Sequence, residues 1–531
     1  MGALYRPARG RVPVSDIVDA TERVIGLFER RHAIPGGRYL YAAGRDLHQV
    51  NNCILLRCPD SREGWATTSY QAEMALMTGA GIGTWFGDVR PGGSVIKRTG
   101  GMASGPLPKM QQINETGRHT MQGGQRRSAI WAGLPWWHAD IFDFITIKDW
   151  SDEVRALKEK DWSFPAPCDM TNISVTLDDD FFEAYAGTFE PVSGINGSPT
   201  APDGGSWRDW AHRVYDTAVG HMLRHGEPGF TVDVGEHAGE VLRNACTEIT
   251  SADDSDVCNL GSLVMPRFDT PEQFGAAVRD MTLFLTAGSI YSDVPYDKVA
   301  DVRDSNRRLG LGLIGVHEFL MKHGVRYGTD EAFEVLEPYM REYRRALEHA
   351  HVWQDRLGLS LSLGATAIAP NGTIGIIAES TPSADPLFSA AEVRNVKIAT
   401  HKGDTYEQHV IVDPTAARLR DEGVPVELIE DAYSIDWERR VRQQHFIQQY
   451  VDHSISSTVN LPHVVTDASE RKGFGDTLMR YLPGLRGITV YPDGARSGQP
   501  RQPVDLQWAL NSSKMELESD ENTCSGGVCA I

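Results

Sequence analysis

Short runs rich in apolar and β-branched residues alternate with segments of helical spacing along nearly the whole chain, and neither an internal repeat nor a low-complexity linker interrupts them. That alternation is what most limits the fold. Cys53–Leu56 (CILL) and Ile173–Leu177 (ISVTL) read as buried strands, whereas Pro338–Arg356 and Arg440–Tyr450 (RVRQQHFIQQY) carry helical spacing. Pro338 suits the first turn of its helix. Buried strands interleaved with amphipathic helices bury their apolar faces by layering helices on a sheet, which places the chain in the α/β class. With 41% hydrophobic and 23% charged residues, the body, residues 53–501, has the composition of one large packed domain. Residues 1–52 form a short leading segment. From 502 onward the character changes: Asn511–Glu521 is polar, acidic and poor in aromatics, so 502–531 reads as a flexible tail.

The net charge of −20 repels polyanions and excludes a general nucleic-acid binder, so any phosphate site must be local. Arg90–Arg98 (RPGGSVIKR) and Gly123–Arg127 (GGQRR) are candidates, because their glycines let backbone N–H groups and basic side chains approach an anion together. The opening residues lack an apolar stretch with a cleavage site, and no apolar run reaches the roughly 18 residues of a membrane span. A soluble cytoplasmic chain without a membrane partner is expected.

Seven cysteines, Cys53, Cys58, Cys168, Cys246, Cys258, Cys524 and Cys529, are too few and too dispersed for a disulfide scaffold. No C-x-x-C occurs and no cysteine pair is matched by a nearby H-x-x-x-H, so no metal site is expected. Asn244-Ala-Cys246-Thr-Glu248 sets an amide, a thiol and a carboxylate at alternate positions, which in an extended segment aims all three the same way. A buried cysteine in a polar loop is the competing reading. Cys258 follows twelve residues on in CNLGS, and Cys53 lies far upstream in NNCILLRC. Cys524 and Cys529 bracket a glycine pair near the C-terminus, where a polar tail buries nothing.

NACTEI, CNLGS and NNCILLRC, with the terminal C-x4-C, resemble the active-site signatures of ribonucleotide reductases. The resemblance extends through GAGIGTWFGDVRPGGSVIKRTGGMASGP, RRLGLGLIG, VDHSISSTVNLP and TVYPDGARSGQ. It implies a ten-stranded α/β barrel of two five-stranded halves with a central finger loop. It also implies that Cys246 forms the thiyl radical that takes the ribose 3′ hydrogen, and that Cys53 and Cys258 supply the electrons as the 2′ hydroxyl leaves as water. Two such reductants end as a disulfide, which needs α-carbons about 4.4 to 6.8 Å apart. Glu248 suits a general base on the 3′ hydroxyl and Asn244 a hydrogen-bond partner for the substrate. The Cys524/Cys529 pair would relay electrons from a thioredoxin- or glutaredoxin-like reductant. Asn371-Gly372-Thr373-Ile374, within PNGTIGIIAESTPSADPLF, resembles the loop that binds the phosphates of the ribonucleotide substrate, although generic helix capping competes.

The same resemblance implies a deoxynucleotide effector held by Asp60, Arg90, Lys97, Gln125 and Arg126, beside a helix pair at the two-fold interface of a homodimer. Asp60 can accept from a sugar hydroxyl, and Arg90 can bind phosphate. Only 52 residues precede Cys53, so the extra nucleotide-binding cone of many relatives is not expected. Tyr491 is followed by Pro492 and no Tyr-Tyr pair occurs, which disfavours radical relay from a second subunit. A class II enzyme using adenosylcobalamin is the expectation, with a class I large subunit served by a separate metalloprotein as the alternative. Two other classes compete. A thiol-disulfide oxidoreductase leaves NACTEI and the phosphate loop idle, and a non-catalytic nucleotide-binding protein has no need of three converging thiols. Diphosphate and triphosphate substrates remain equally open.

Overall fold

The computed structural model describes residues 1–120, 128–161, 163–189, 195–400, 403–493, 495 and 501–512. A short strand β1 (Ala33–Pro35) precedes β2 (Cys53–Arg57), β3 (Gly81–Trp85), β4 (Ile130–Pro135), β5 (Thr171–Asp178) and β6 (Gly229–Asp233). Strands β2 to β6 pair in sequence order and all run parallel. Parallel neighbours require long crossovers, and helices α1 (Arg62–Met77), α2 (Leu107–His119) and α3 (Trp207–His225) lie in three of them. Their starts are marked locally where a side chain can cap them: Ser61 accepts from Gly64 N, and Ser206 from Asp209 N.

The second half comprises β7 (Asp256–Val264), β8 (Leu309–Ile314), β9 (Thr458–Leu461) and β10 (Gly487–Pro492). Strand β7 is parallel to β8, and β9 to β10. Between them the segment 366–368 makes single parallel bridges, Thr366 to Leu311 and Ile368 to Ile455, and so acts as a fifth strand reduced to two contacts. The halves meet antiparallel at β2–β7 and at β6–β10, which closes a ring of ten members. The barrel of two five-stranded halves that the resemblance implied is therefore the one formed. Beyond the start of β2, β1 continues the same edge of β7.

Strand positions alternate between two apolar layers. Ile54 and Leu56 on β2, and Ile130, Ala132 and Leu134 on β4, belong to the layer beneath the helices. Leu55, Trp85, Trp131, Cys258, Leu260, Ala367 and Ala369 form the inner cluster with Leu242 and Ile249, which come from the connection between β6 and β7. Strands buried on both faces read as continuous apolar runs, which explains CILL. Trp131 is fully buried and donates from Nε1 to Ser174 Oγ at 3.0 Å. Truncating such a ring costs about 3–5 kcal/mol.

The helix expected over 338–356 is two helices, α4 (Asp330–Arg344) and α5 (Ala346–Leu357), with Pro338 inside α4 rather than in its first turn. Thr329 Oγ1 accepts from Ala332 N at 3.3 Å and sets the start earlier. Leu336, Tyr339, Met340 and Tyr343 are buried on both sides of the proline, so packing of that face outweighs the cost of about 3 kcal/mol or more for an interior proline. No helix among the described residues is long and apolar enough to cross a membrane.

Candidate active site

Cys53 opens β2, and the register of the antiparallel seam sets it opposite Cys258 on β7. Residues directly opposed in such a ladder have α-carbons about 4.5–5.5 Å apart, within the range of about 4.4–6.8 Å that a disulfide spans. Both side chains are buried and reduced. Burial, reinforced by the nearby Glu248 carboxylate, pushes the Cys53 thiol up to about 12. Cys258 is raised by burial, then by Cys53 and Glu248. At neutral pH both are held as thiols, able to give up hydrogen. Cys58 and Cys168, fully buried in the outer layer, are core residues.

Between β6 and β7 the chain enters the barrel as a hairpin, Leu242–Arg243 pairing antiparallel with Thr250–Ser251. Its tip is a turn. Thr247 N donates to Asn244 O at 3.0 Å, and Thr247 takes a left-handed φ of 65°. Asn244 Oδ1 accepts from Ile249 N at 3.0 Å and closes the turn from the side. The extended geometry expected for Asn244, Cys246 and Glu248 is thus corrected, because the chain must reverse here to re-enter β7. Asn244 and Glu248 are buried and Cys246 is partly exposed.

The finger fits because the barrel wall lacks side chains where it passes. A Cβ at Gly83 would lie 1.8 Å from Arg243 O, and one at Gly81 would lie 2.9 Å from Ala245 Cβ and 3.4 Å from Cys53 Sγ. Both glycines stand on one face of β3. The Ala245 N–H, one residue before Cys246, helps hold the Cys53 thiol. Glu248 O accepts from Ser454 N at 2.8 Å. Burial raises the Glu248 carboxyl to about 7, with the Asn244 amide opposing. Glu248 Oε2 and Asn244 Nδ2 meet no protein partner at hydrogen-bonding geometry. Buried polar atoms in that condition await a ligand or water.

The base of the finger carries a charged network that the sequence reading passed over. Glu240 pairs with Arg308 at 2.9 Å and with Arg486 at 2.8 Å, and Arg308 Nε donates to Asp256 Oδ2 at 2.8 Å. Asp256 Oδ2 also accepts from Ser251 Oγ at 2.6 Å and from Asn306 Nδ2 at 2.9 Å, which ties the finger's second strand to β7. Burial alone would raise Glu240, but Arg308 and Arg486 reverse this and hold it down to about 2. The available signal was a charged residue flush against an apolar run, as in Arg308 before LGLGLIG.

Asn371 precedes a short helix, Gly372–Ala378, whose first-turn N–H groups at Gly372, Thr373 and Ile374 have no acceptor within the helix. The Asn371 amide donates to Ser262 Oγ at 3.1 Å and to Leu313 O at 3.3 Å, pinning the loop to the ends of β7 and β8. Ser262 lies on the same face of β7 as Cys258, four residues or about 13 Å along. Asp60 and Arg90 meet as an ion pair at 2.6 Å, and Lys97 is exposed on the loop beyond. Gln125, Arg126, Cys524 and Cys529 lie outside the described residues.

A closed α/β barrel that encloses a thiol-bearing finger beside a buried dithiol and a carboxyl group has the parts of an oxidoreductase site. The chain belongs to the ribonucleotide reductase family: the model described as ribonucleotide reductase, barrel domain, matches residues 51–194, 236–349 and 358–491. It is 28% identical to a vitamin B12-dependent ribonucleoside-diphosphate reductase of Mycobacterium tuberculosis (strain CDC 1551 / Oshkosh), over 96% of this chain and 76% of that one. A protein of the same name from Thermoplasma acidophilum is 26% identical over 88% of this chain and 64% of its own length. A putative adenosylcobalamin-dependent ribonucleoside-triphosphate reductase of Mycobacterium phage D29 is 25% identical, over 89% and 75%. Among solved structures, the Actinobacillus ureae class Id ribonucleotide reductase alpha subunit matches with a TM-score of 0.68 and 17% identity over 93% of both chains, a likeness of fold. Membership in the family carries a nucleotide substrate and a redox partner.

Proposed function

We propose that this chain reduces ribonucleotides to 2′-deoxyribonucleotides by thiyl-radical chemistry, with adenosylcobalamin as its radical source. The observation that carries the reading is the in-register Cys53/Cys258 pair beneath a finger tip that bears Cys246. A bulky cofactor needs a thiol that the fold leaves accessible. Cys246 is partly exposed, while Cys53 and Cys258 are 8% and 2% exposed, so the tip fits that requirement and the dithiol does not. When bound against Cys246, adenosylcobalamin supplies a cobalt–carbon bond whose homolysis generates a radical able to take the thiol hydrogen.

The protein's own groups do the rest. Cys246 as a thiyl takes the 3′ hydrogen of the ribose, and Glu248 as carboxylate holds the proton of the 3′ hydroxyl. Asn244 Nδ2 binds the sugar from the turn it closes. The 2′ hydroxyl leaves as water with a proton from the dithiol. Cys53 and Cys258 give two electrons and two protons in all and end as a disulfide, and Cys246 returns the 3′ hydrogen. The net change is one ribose hydroxyl and two thiols converted to one C–H bond, one disulfide and one water. The phosphates reach the first-turn N–H groups of Gly372, Thr373 and Ile374 along β7.

In the same reading Cys524 and Cys529 reduce the Cys53/Cys258 disulfide by thiol exchange and are themselves reduced by a thioredoxin- or glutaredoxin-like protein; the start of the stretch read as a tail is instead folded, Arg501–Pro503 as a strand and Leu506–Ser512 as a helix that buries Leu506 and Ala509. Residues 1–52 form the leading segment and 53–501 the catalytic barrel. A deoxynucleotide effector binds at Asp60, Arg90, Lys97, Gln125 and Arg126, and the enzyme acts as a cytoplasmic homodimer. The test is an anaerobic assay of the purified chain with adenosylcobalamin, a dithiol, and a ribonucleoside di- or triphosphate. Deoxyribonucleotide is expected without any second protein. Product that forms only after a separate metalloprotein is added would overturn the radical source, and none under either condition would overturn the activity.

A further inference from the structure

Outside the barrel wall, at the end of β6 opposite to the finger, three side chains converge that the reaction does not use. His221 and His225 stand one turn apart in the last turns of α3, and Asp149 lies in the connection between β4 and β5. Asp149 Oδ1 is 3.4 Å from His221 Nδ1 and 3.6 Å from His225 Nε2, and one ligand atom from each of the three residues lies within 4.8 Å of the others. These separations exceed the roughly 2.7–3.2 Å of an N–H···O hydrogen bond. The two Asp149–histidine separations approach the edge of about 3.3 Å in a tetrahedron with metal–ligand bonds of about 2.0–2.1 Å.

We propose that Asp149, His221 and His225 form a structural site for a zinc-class divalent ion that ties the C-terminal end of α3 to the β4–β5 connection. Two imidazoles and one carboxylate suit Zn²⁺ and its neighbours among the first-row metals, and the fourth position is left to water. Two histidines four residues apart on a helix present their rings on one side. The helix C-terminus adds a favourable field for a cation.

The competing arrangement is a plain ion pair between Asp149 and a protonated histidine. Burial lowers both histidines, and although Asp149 opposes this, Arg224 acts on both and Arg155 on His225 in the lowering sense. Those two arginines oppose a cation as well. Each is also engaged with a main-chain carbonyl, Arg155 with Trp150 O at 2.9 Å and Arg224 with Gly220 O at 3.1 Å. Two imidazoles beside a half-exposed carboxylate converge on one point with an entry path open. His221-Met-Leu-Arg-His225 is an H-x-x-x-H pair on one helix face with no cysteine pair beside it.

The full chain carrying Cys524→Ser and Cys529→Ser, so that the terminal thiols take no ion, is stripped with a chelator, equilibrated with Zn²⁺ and desalted. Metal analysis should find one zinc per chain, and saturating zinc should raise the thermal midpoint by about 2 °C or more. Replacing the buried His221 risks the fold, so the variants are Asp149→Ala and His225→Gln at the more exposed positions, each checked by circular dichroism. Each should lose more zinc affinity, read by competition with a chromophoric chelator, than the roughly 10–100-fold that loss of a supporting partner costs. The thermal shift should vanish with it. Zinc retained equally by the parent and both folded variants, or by none of the three, would overturn the site.

Discussion

At the finger, a Cβ on Gly83 would stand 1.8 Å from a main-chain oxygen, and Glu240, Arg308, Arg486 and Asp256 are tied together beneath it. At the Asp60–Arg90 face, a single ion pair joins two side chains that are 32% and 39% exposed. The first region is determined from every side, so that the reacting groups keep their places without a ligand. The second is held by a contact of a kind worth about 0–1 kcal/mol, which a ligand can replace cheaply. The proposed radical chemistry needs the former, and the proposed effector site the latter.

Five substitutions would break or sharpen that contrast. Cys246→Ser should reduce turnover to background while the fold and effector binding persist, because a serine O–H bond is too strong to form the radical under the same driving force. Appreciable deoxyribonucleotide formation by the folded variant would remove Cys246 from the reaction. Glu248→Gln should lower kcat by about 10²–10⁴-fold, the usual range for losing a general base. In the parent, with this carboxyl near 7, kcat/KM should rise as pH increases through that value because the base must be deprotonated. A pH profile unchanged in the variant would assign that limb to another group.

Gly83→Ala should cost about 10²-fold in kcat by displacing the finger about an ångström, with the barrel's circular dichroism retained. Near-parental activity would show that the seat is looser than its clearances. The smallest effect is expected at the other region. Asp60→Ala or Arg90→Ala should change stability by less than about 1 kcal/mol and leave basal reduction intact, while weakening deoxynucleotide binding several-fold in equilibrium dialysis. Parental affinity in both variants would move the effector elsewhere.

Acid tests the charged base of the finger separately. The folded Glu240 carboxyl lies below its ordinary value of 4.5, at about 2. Its contribution to stability is present above about pH 4.5 and is lost as pH falls toward 2. Urea midpoints measured across that window should fall less steeply for Glu240→Gln than for the parent, and parallel curves would show that Glu240 is not a source of the acid sensitivity.

Much of this was legible in the residues. The strands at Cys53 and Ile173 and the helix around Arg440 could be read from apolar runs and spacing, since their causes are local. The two helices around Pro338 could not, because a buried face of aromatic and aliphatic side chains overrode a local breaker. Motif similarity named the cysteines, Asn244 and Glu248, but the geometry inferred from alternation at the finger tip was wrong. Thr247 in a left-handed conformation makes a turn there, closed by the Asn244 carbonyl and side chain, which alternation alone does not reveal.

By itself, then, the sequence determined the inventory: the thiols, amide and carboxylate available to a site, the α/β alternation, and the glycines of GAGIG and LGLGLIG that leave room inside a wall. Only the tertiary structure decided who meets whom. Cys53 faces Cys258 because two halves of a barrel close antiparallel at that seam, Thr366 and Ile368 complete the ring with two bridges, and Asp149 joins a histidine pair on a helix far along the chain. The physical reason is range. Side-chain chemistry and local spacing are properties of a few consecutive residues, whereas register and enclosure are settled by packing that every strand and helix enters at once.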